Sequence, residues 1–256
     1  MAKSQILKEL ANDEIQINVA LQRLMLLASD LGDDELLSWA DKELSGYSAN
    51  DDLPEYRKIR VGNILISGIK GNAYNSIKYN RMSVPLHLYI DDKKLLNNIC
   101  TLNIFEPISN IIQKAASPLD TSFSRSLMEL NELIWHREQI SCSAIEQPIQ
   151  PSQYADVLAQ LKQITLKIFI KLDKEYGNLD DLDIVTTNKP QDQINKTKAE
   201  VQQIIYNVTI TQADLSGVRI KGHKIKDSNI GSGTNTTTKT TTLSPTLELN
   251  ANDLIG

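Results

Sequence analysis

The chain is poor in cysteine and histidine. Cys100 and Cys142 stand alone with no C-x-x-C, and His87, His136 and His223 share no i, i+4 spacing. Isolated cysteines in a chain without an export signal point to reduced thiols, not to a disulfide framework. A metal centre needs ligands at short fixed spacings on at least one element, and neither residue type supplies them. No metal and no cofactor is therefore expected. No apolar run reaches the roughly 18 residues of a membrane-spanning helix. The opening MAKSQILKELANDEIQ lacks the apolar stretch of a signal peptide, so the expected address is the cytosol. The net charge is −5 and no block of about five like charges occurs, which argues against a dedicated nucleic-acid protein. There is no G-x-S-x-G, and GIKGNAYNS lacks the G-K-[ST] of a phosphate-binding loop. Paired aspartates (Asp33–Asp34, Asp51–Asp52, Asp91–Asp92, Asp180–Asp181) could hold Mg²⁺ on paper. Helix capping and loop solubility account for them more simply.

What is present is an ordinary globular composition: 256 residues, 41% apolar and 23% charged. That length and balance allow one large domain with appendages. The fold class expected is α+β. Residues 3–31 read as one long helix or two abutting ones, with Ile17, Leu21, Leu24, Ala28 and Leu31 on one stripe. Gly32 ends that helix, Asp33 caps the next and Gly46 stops it. An N-terminal helical hairpin results. Residues 56–90 carry turn-spaced glycines and β-branched runs, a small antiparallel β segment, in which Val84, Leu86, Leu88 and Ile90 alternate like a strand. Asp91–Asp92 starts a short helix, and Thr101–Phe105 reads as another strand. Pro107 opens a helix, and Asp120 or Thr121 caps a further one with Phe123, Leu127, Leu130 and Ile134 on one face. Pro148 and Pro151 mark a break, after which Ser152 opens the longest helix, ending near Gly177. It is apolar over most of its circumference, so it belongs at the centre of a helical core. The domain reading is 1–177 globular, 178–205 polar linker and short helix, 206–232 a β-rich segment, and 233–256 a Thr/Asn-rich flexible tail.

Within the second helix of the hairpin, Leu36, Trp39, Ala40 and Glu43 share one face. A carboxylate on an apolar face must reach water or find donors, because burying it alone costs several kcal/mol. Trp39 lies one turn before Glu43 and Tyr47 one turn after. A hydrogen-bonded bracket follows, with Glu43 accepting from a backbone amide, from Tyr47, or from an arginine of the β segment such as Arg57 or Arg60. A catalytic role for Glu43 is the alternative.

The same residues carry a resemblance. LLASDLGDDELLSWADKELSGYSANDDLPEYRKIRVG contains L-A-x-x-L-G, D-x-E-L-x-x-W, E-L-x-G-Y and L-P-x-Y. In numbers these are Leu27, Ala28, Leu31, Gly32, Glu35, Leu36, Trp39, Glu43, Leu44, Gly46, Tyr47, Leu53, Pro54 and Tyr56. The pattern resembles the opening of the AbiTii family of bacterial abortive-infection proteins. SCSAIEQ and KIFIKLDKEYG resemble its later part, so the likeness spans about residues 5–177. It implies defence against phage in a bacterial cytosol and supplies no catalytic residue. Trp39, Glu43, Gly46, Tyr47 and Tyr56 are its motif and interaction candidates.

Beyond the linker a period of five appears: VTITQ, ADLSG, VRIKG, HKIKD, SNIGS. Ile210, Leu215, Ile220, Ile225 and Ile230 fall in phase, and the pattern resembles pentapeptide repeats, which form a β-solenoid. Ala213, Val218 and Ser228 suit the second inward position, whereas His223 is large for it. Five repeats cannot bury their own ends and require a stacked neighbour. Those five aliphatics are thus assembly candidates, with a flexible tail that orders on binding as the plainer alternative. The expected protein is a non-catalytic interaction protein of phage defence that self-assembles through its tail into a homo-oligomer. Its other partner would be a phage protein or a neighbouring defence protein. Two alternatives stand beside it: a toxin-like metal-dependent nuclease, and a nucleic-acid-binding module using Arg57, Lys58, Arg60, Lys70 and Lys78.

Overall fold

The computed structural model describes residues 3–118, 121–186 and 189–206. Everything described lies in one unit of the chain, Met1–Thr209. The repeat positions Ile210, Leu215, Ile220, Ile225 and Ile230, and His223 with them, lie outside the described residues.

The N-terminal stretch resolves as two helices, α1 (Gln5–Ala11) and α2 (Ile17–Leu31). Gly32 takes the left-handed conformation at φ 63° that ends α2. Asp33 accepts from the Leu36 amide as N-cap of α3 (Asp34–Ser45), whose first turn carries Asp34 and Glu35 at the positive end of its dipole. This two-residue turn folds α3 back on α2, so the helical hairpin forms as expected.

A 3₁₀ turn at Glu55–Arg57 leads into β1 (Lys58–Arg60). Strands β2 (Ile64–Gly71) and β3 (Ser76–Val84) form a hairpin, followed by α4 (Lys93–Ile99), capped by Asp92, and β4 (Thr101–Asn103). Helix α5 (Ile108–Ala115) starts behind Pro107. Then come β5 (Phe123–Ser126), α6 (Asn131–Glu138) and β6 (Ile140–Ile149). The long α7 (Pro151–Tyr176) and α8 (Gln191–Tyr206) complete the unit. All pairing is antiparallel: β1 with β4, and a four-stranded sheet in the order β3-β2-β6-β5. The α+β class stands. The β-rich tail that completes the expected fold lies outside the described residues.

Three local expectations are corrected. The alternation Val84, Leu86, Leu88, Ile90 is not a strand: Pro85 ends β3, and a 3₁₀ turn at Leu86–Leu88 follows, burying Leu86 and Ile90 and exposing Leu88. His87 sits on that turn. Phe123, Leu127, Leu130 and Ile134 do not share a helix. Phe123 belongs to β5, Leu130 to a 3₁₀ turn and Ile134 to α6, although Leu127, Leu130 and Ile134 are all buried as core positions should be. The break expected between Pro148 and Pro151 falls in part on β6, a strand in the middle of the sheet. Pro148 is tolerated there because only β5 pairs at that position, opposite Ser124.

Two hydrophobic clusters organise these elements. One gathers α1, α2, α3, α5, α7 and α8, with Tyr154, Leu161, Ile168, Phe169 and Leu172 of α7 running through it. The other fills the space between one face of the four-stranded sheet and the α4 and α6 segments. Residues 178–205, read as a polar linker and short helix, supply that helix as α8 and also contribute Leu179, Ile184, Ile194, Val201 and Ile205 to the first cluster. The polar sequence hides this because α8 buries only one narrow face. Buried Gln147 joins the two regions: its amide donates to the carbonyls of Val61 and Ile99 and accepts from Arg125.

Candidate functional site

Trp39, Glu43, Gly46, Tyr47 and Tyr56 converge on one buried network whose centre is Glu43. Helical spacing in α3 puts Trp39 one turn before Glu43, and the chain leaves α3 so that Tyr47 returns to it. Tyr47 and Tyr56 each donate a hydroxyl hydrogen bond of 2.7 Å to Glu43 Oε1. Trp39 Nε1 donates to the Tyr56 hydroxyl at 2.9 Å. The Arg57 guanidinium completes the shell, with Nε 3.1 Å from both carboxylate oxygens and Nη2 2.6 Å from Oε2. Glu43 and Arg57 are both 0% exposed. Of the two arginines that could have answered Glu43, Arg57 does so and Arg60 is exposed.

Arg57 also reaches across the fold. Its Nη1 donates to the carbonyls of Ile104 and Glu106 at 3.2 and 2.6 Å, and its own carbonyl accepts from the Ile104 amide. The Tyr47 amide donates to the Phe105 carbonyl between them at 2.7 Å, and the Arg57 guanidinium lies 4.9 Å from the Tyr47 ring centroid. One ion pair therefore ties the end of α3 to the strand-to-helix link before α5. Gly46 makes that approach possible: at φ +97°, a Cβ there would lie 2.9 Å from the Phe105 carbonyl oxygen and 3.1 Å from Pro107 Cδ.

The electrostatics follow from burial. Desolvation, with the Glu43 charge adding to it, pushes the Tyr47 and Tyr56 hydroxyls well above the ordinary phenol range. Both stay protonated and act as donors to the carboxylate. The arrangement neutralises a buried charge with an opposite charge and saturates its lone pairs, which is what a buried ion pair requires to persist. It offers no open coordination position and no face to a substrate. As a chemical device it fixes geometry.

The remaining polar candidates lie apart. Of the basic set, Arg57 is consumed in the network and Lys58 pairs with Glu55. Arg60, Lys70 and Lys78 stay at or near the surface. His136 occupies the last turn of α6. Asp33 and Asp92 serve as helix caps, as their positions implied. A shallow groove of about 340 Å³ between α1 and α7 is lined by Leu7, Ala11, Leu166 and Ile170, with Lys3 and Lys8 at its rim. The network's long-range partners, the carbonyls of Ile104 and Glu106, and the Gln147–Arg125 pair have no sequence signal, since each depends on contacts more than twenty residues apart.

A family model, AbiTii, matches residues 4–198. No curated protein and no solved structure matches the chain. The family match covers more than half of the sequence and encloses every residue of the Glu43 network, so the chain belongs to the AbiTii family, whose name denotes abortive infection as a defence against phage.

Proposed function

We propose that this chain is an abortive-infection protein of phage defence that acts by protein–protein contact and self-assembly, with no catalytic step of its own. One observation carries the reading: the carboxylate at the centre of the family-like motif is spent inside the fold. Both Glu43 oxygens are engaged by Tyr47, Tyr56 and Arg57, and neither member of the ion pair reaches solvent. The motif serves the scaffold, and the activity belongs to the surface that the scaffold holds. Self-assembly through residues 206–232 rests on the five-residue period alone, with Ile210, Leu215, Ile220, Ile225 and Ile230 as its contacts.

Two experiments test the two halves. In a phage challenge, Glu43→Gln is expected to protect cells in proportion to the folded protein that remains. Loss of protection with folding intact would overturn the non-catalytic reading, and metal-dependent cleavage of nucleic acid by the same protein would identify a nuclease. For assembly, the solution mass of the intact chain is compared with that of a chain ending at Tyr206. The intact chain is expected to form a discrete oligomer and the shortened one a monomer. Equal masses would remove the assembly role of the C-terminal segment.

A further inference from the structure

We infer that the end of the four-stranded sheet carrying the β2–β3 turn docks on an anionic lipid bilayer. The inference goes beyond the defence reading and does not depend on it. Tyr74, at the turn, is 100% exposed, and Ile69 and Ile77 beside it are 50% and 57% exposed. Across the hairpin Ile69 stands opposite Lys78, and Lys70 stands opposite Ile77. Each exposed isoleucine thus has a lysine as its cross-strand neighbour, one pair on each face of the hairpin, so both pairs meet a bilayer that the hairpin enters turn first, and neither lysine has an ion-pair partner among the described residues. The turn presents Tyr74 on a fixed backbone: Asn72 Oδ1 accepts from the amides of Tyr74 and Asn75 at 3.0 Å, and Gly71 closes the turn at φ +116°.

More apolar surface reaches the same end. Strand β6 begins there, with the buried Ile140 opposite Lys70. Helix α6 runs into it through Gln139, whose backbone and side-chain amides both bond the Trp135 carbonyl, so Trp135, 44% exposed, sits one turn away. Arg137 of α6 donates to the Leu88 carbonyl, which brings Leu88, 57% exposed, to the same helix. The hairpin itself carries charge of one sign, while Asp91, paired with Arg137, and Glu138, which accepts from the Tyr89 hydroxyl, stand beside Leu88 and α6. From Ile59 to Ile90 there is no aspartate or glutamate, in a chain whose net charge is −5.

Aliphatic side chains that enter the acyl boundary, aromatics at headgroup depth and lysines against lipid phosphates are the components of interfacial binding. Two other occupants fit less well. Nucleic acid could stack on Tyr74 and Trp135 but would leave the exposed aliphatic Ile69, Ile77 and Leu88 in water, which a bilayer would not. A second copy pairing antiparallel along β3 with its two-fold axis at Lys78 would set that lysine directly opposite its own copy, which is disfavoured.

The test uses the intact chain and sedimentation with vesicles. One set is phosphatidylcholine alone, and the other an equimolar mixture with phosphatidylglycerol. The expected result is uptake by the anionic vesicles only, weakening as salt rises. Ile69→Ser with Ile77→Ser is expected to lower partitioning by about tenfold or more, from the apolar area withdrawn. Lys70→Gln with Lys78→Gln is expected to lower it by about tenfold and to flatten the salt dependence. The variants sit on exposed or, at Lys70, half-buried positions, so an unchanged thermal transition is expected of each. No uptake by anionic vesicles, or uptake indifferent to both pairs, overturns the inference. Tyr74-dependent binding of a single-stranded oligonucleotide without vesicle uptake would give the surface to nucleic acid instead.

Discussion

Removing the Glu43 carboxylate would leave the Arg57 guanidinium charged, wholly buried and stripped of its main partner. Breaking one side of such a pair costs roughly 3–5 kcal/mol. Glu43→Ala is therefore expected to lose that much stability in denaturant unfolding, and Glu43→Met with Arg57→Leu to lose less than the single change. A double variant as unstable as the sum of the singles would show that the pair is not coupled. The tyrosines differ in a way that can be measured. Tyr56 donates to Glu43 and accepts from Trp39, whereas among the described residues the Tyr47 hydroxyl bonds Glu43 alone. Tyr56→Phe leaves the indole N–H without its acceptor, a penalty of roughly 1–3 kcal/mol, so it is expected to destabilise more than Tyr47→Phe. At this scale much was readable. A glutamate on an apolar helical face with aromatics one turn either side must be bracketed, and Tyr47 and Arg57 were among the partners that reading allowed. Choosing Arg57 over Arg60 required knowing that the chain enters β1 with Arg57 and Ile59 turned inward and Arg60 outward. The Ile104 and Glu106 carbonyls were beyond reach, because no local pattern marks an acceptor that a distant arginine will collect.

The elements show where local pattern stops being sufficient. The α2–α3 hairpin was legible because Gly32 and Asp33 act within one turn of themselves. Strand β6 was not. Its buried residues are Ile140, Cys142, Ile145, Gln147 and Ile149, and the period of two slips by one between Cys142 and Ile145. The slip is a bulge: Ser67 pairs with Ala144 and Gly68 with Cys142, leaving Ser143 unmatched. A buried glutamine and a proline then mask what remains of the alternation. The false strand 84–90 is the reverse case, an alternation with a proline inside it. The junction from α3 to α5 gives a test. Gly46→Ala places a methyl group 2.9 Å from the Phe105 oxygen on a left-handed backbone, a strain of about 1–3 kcal/mol. Gly62→Ala meets nothing within 4 Å and is expected to change stability little, so equal effects of the two would refute the close approach. The loop after α3 adds a pH dependence. Asp51 accepts from Lys42 Nζ at 2.6 Å and from the Ser48 amide and hydroxyl at 2.7 and 2.8 Å, and the Lys42 contact first of all lowers its pKa to about 2. A carboxyl depressed on folding contributes stability above its unfolded pKa, about 3.9, and loses it as pH falls toward the folded value. Asp51→Asn is expected to flatten the acid limb of the stability profile between about pH 4 and pH 2 and to leave its neutral-to-alkaline shape unchanged.

The whole unit depends on a segment whose composition resembles a linker more than a core. Residues 178–205 have the polarity of a linker, yet Leu179, Ile184, Ile194, Val201 and Ile205 are buried in the cluster that α7 traverses. Specific contacts hold them there: Lys198 Nζ donates to the Gly32 carbonyl at 2.6 Å, the Leu179 amide donates to Ser4 Oγ at 3.0 Å, and Gln193 donates to Glu175 at 3.1 Å. The first of these joins α8 to the α2–α3 turn and the second joins the end of α7 to α1, so the two ends of the unit close on each other. The family match ends at residue 198, inside α8, while Val201 and Ile205 lie past it and are buried all the same. The consequence is a sharp boundary for truncation. Each fully buried aliphatic is worth roughly 1.5–3 kcal/mol, and five of them together rival the 5–15 kcal/mol typical of a domain's entire net stability. A chain ending at Gly177 is therefore expected to lose its cooperative denaturant transition and its near-ultraviolet circular dichroism, because the faces of α3 and α7 against which α8 packs would be open to water. A chain ending at Tyr206 is expected to keep both. If the Gly177 chain unfolds as cooperatively as the Tyr206 chain, α8 is an accessory to the core and not a part of it. If the two differ as expected, any oligomer lost on shortening to Gly177 reports unfolding, and only the Tyr206 boundary can isolate what the C-terminal segment contributes to assembly.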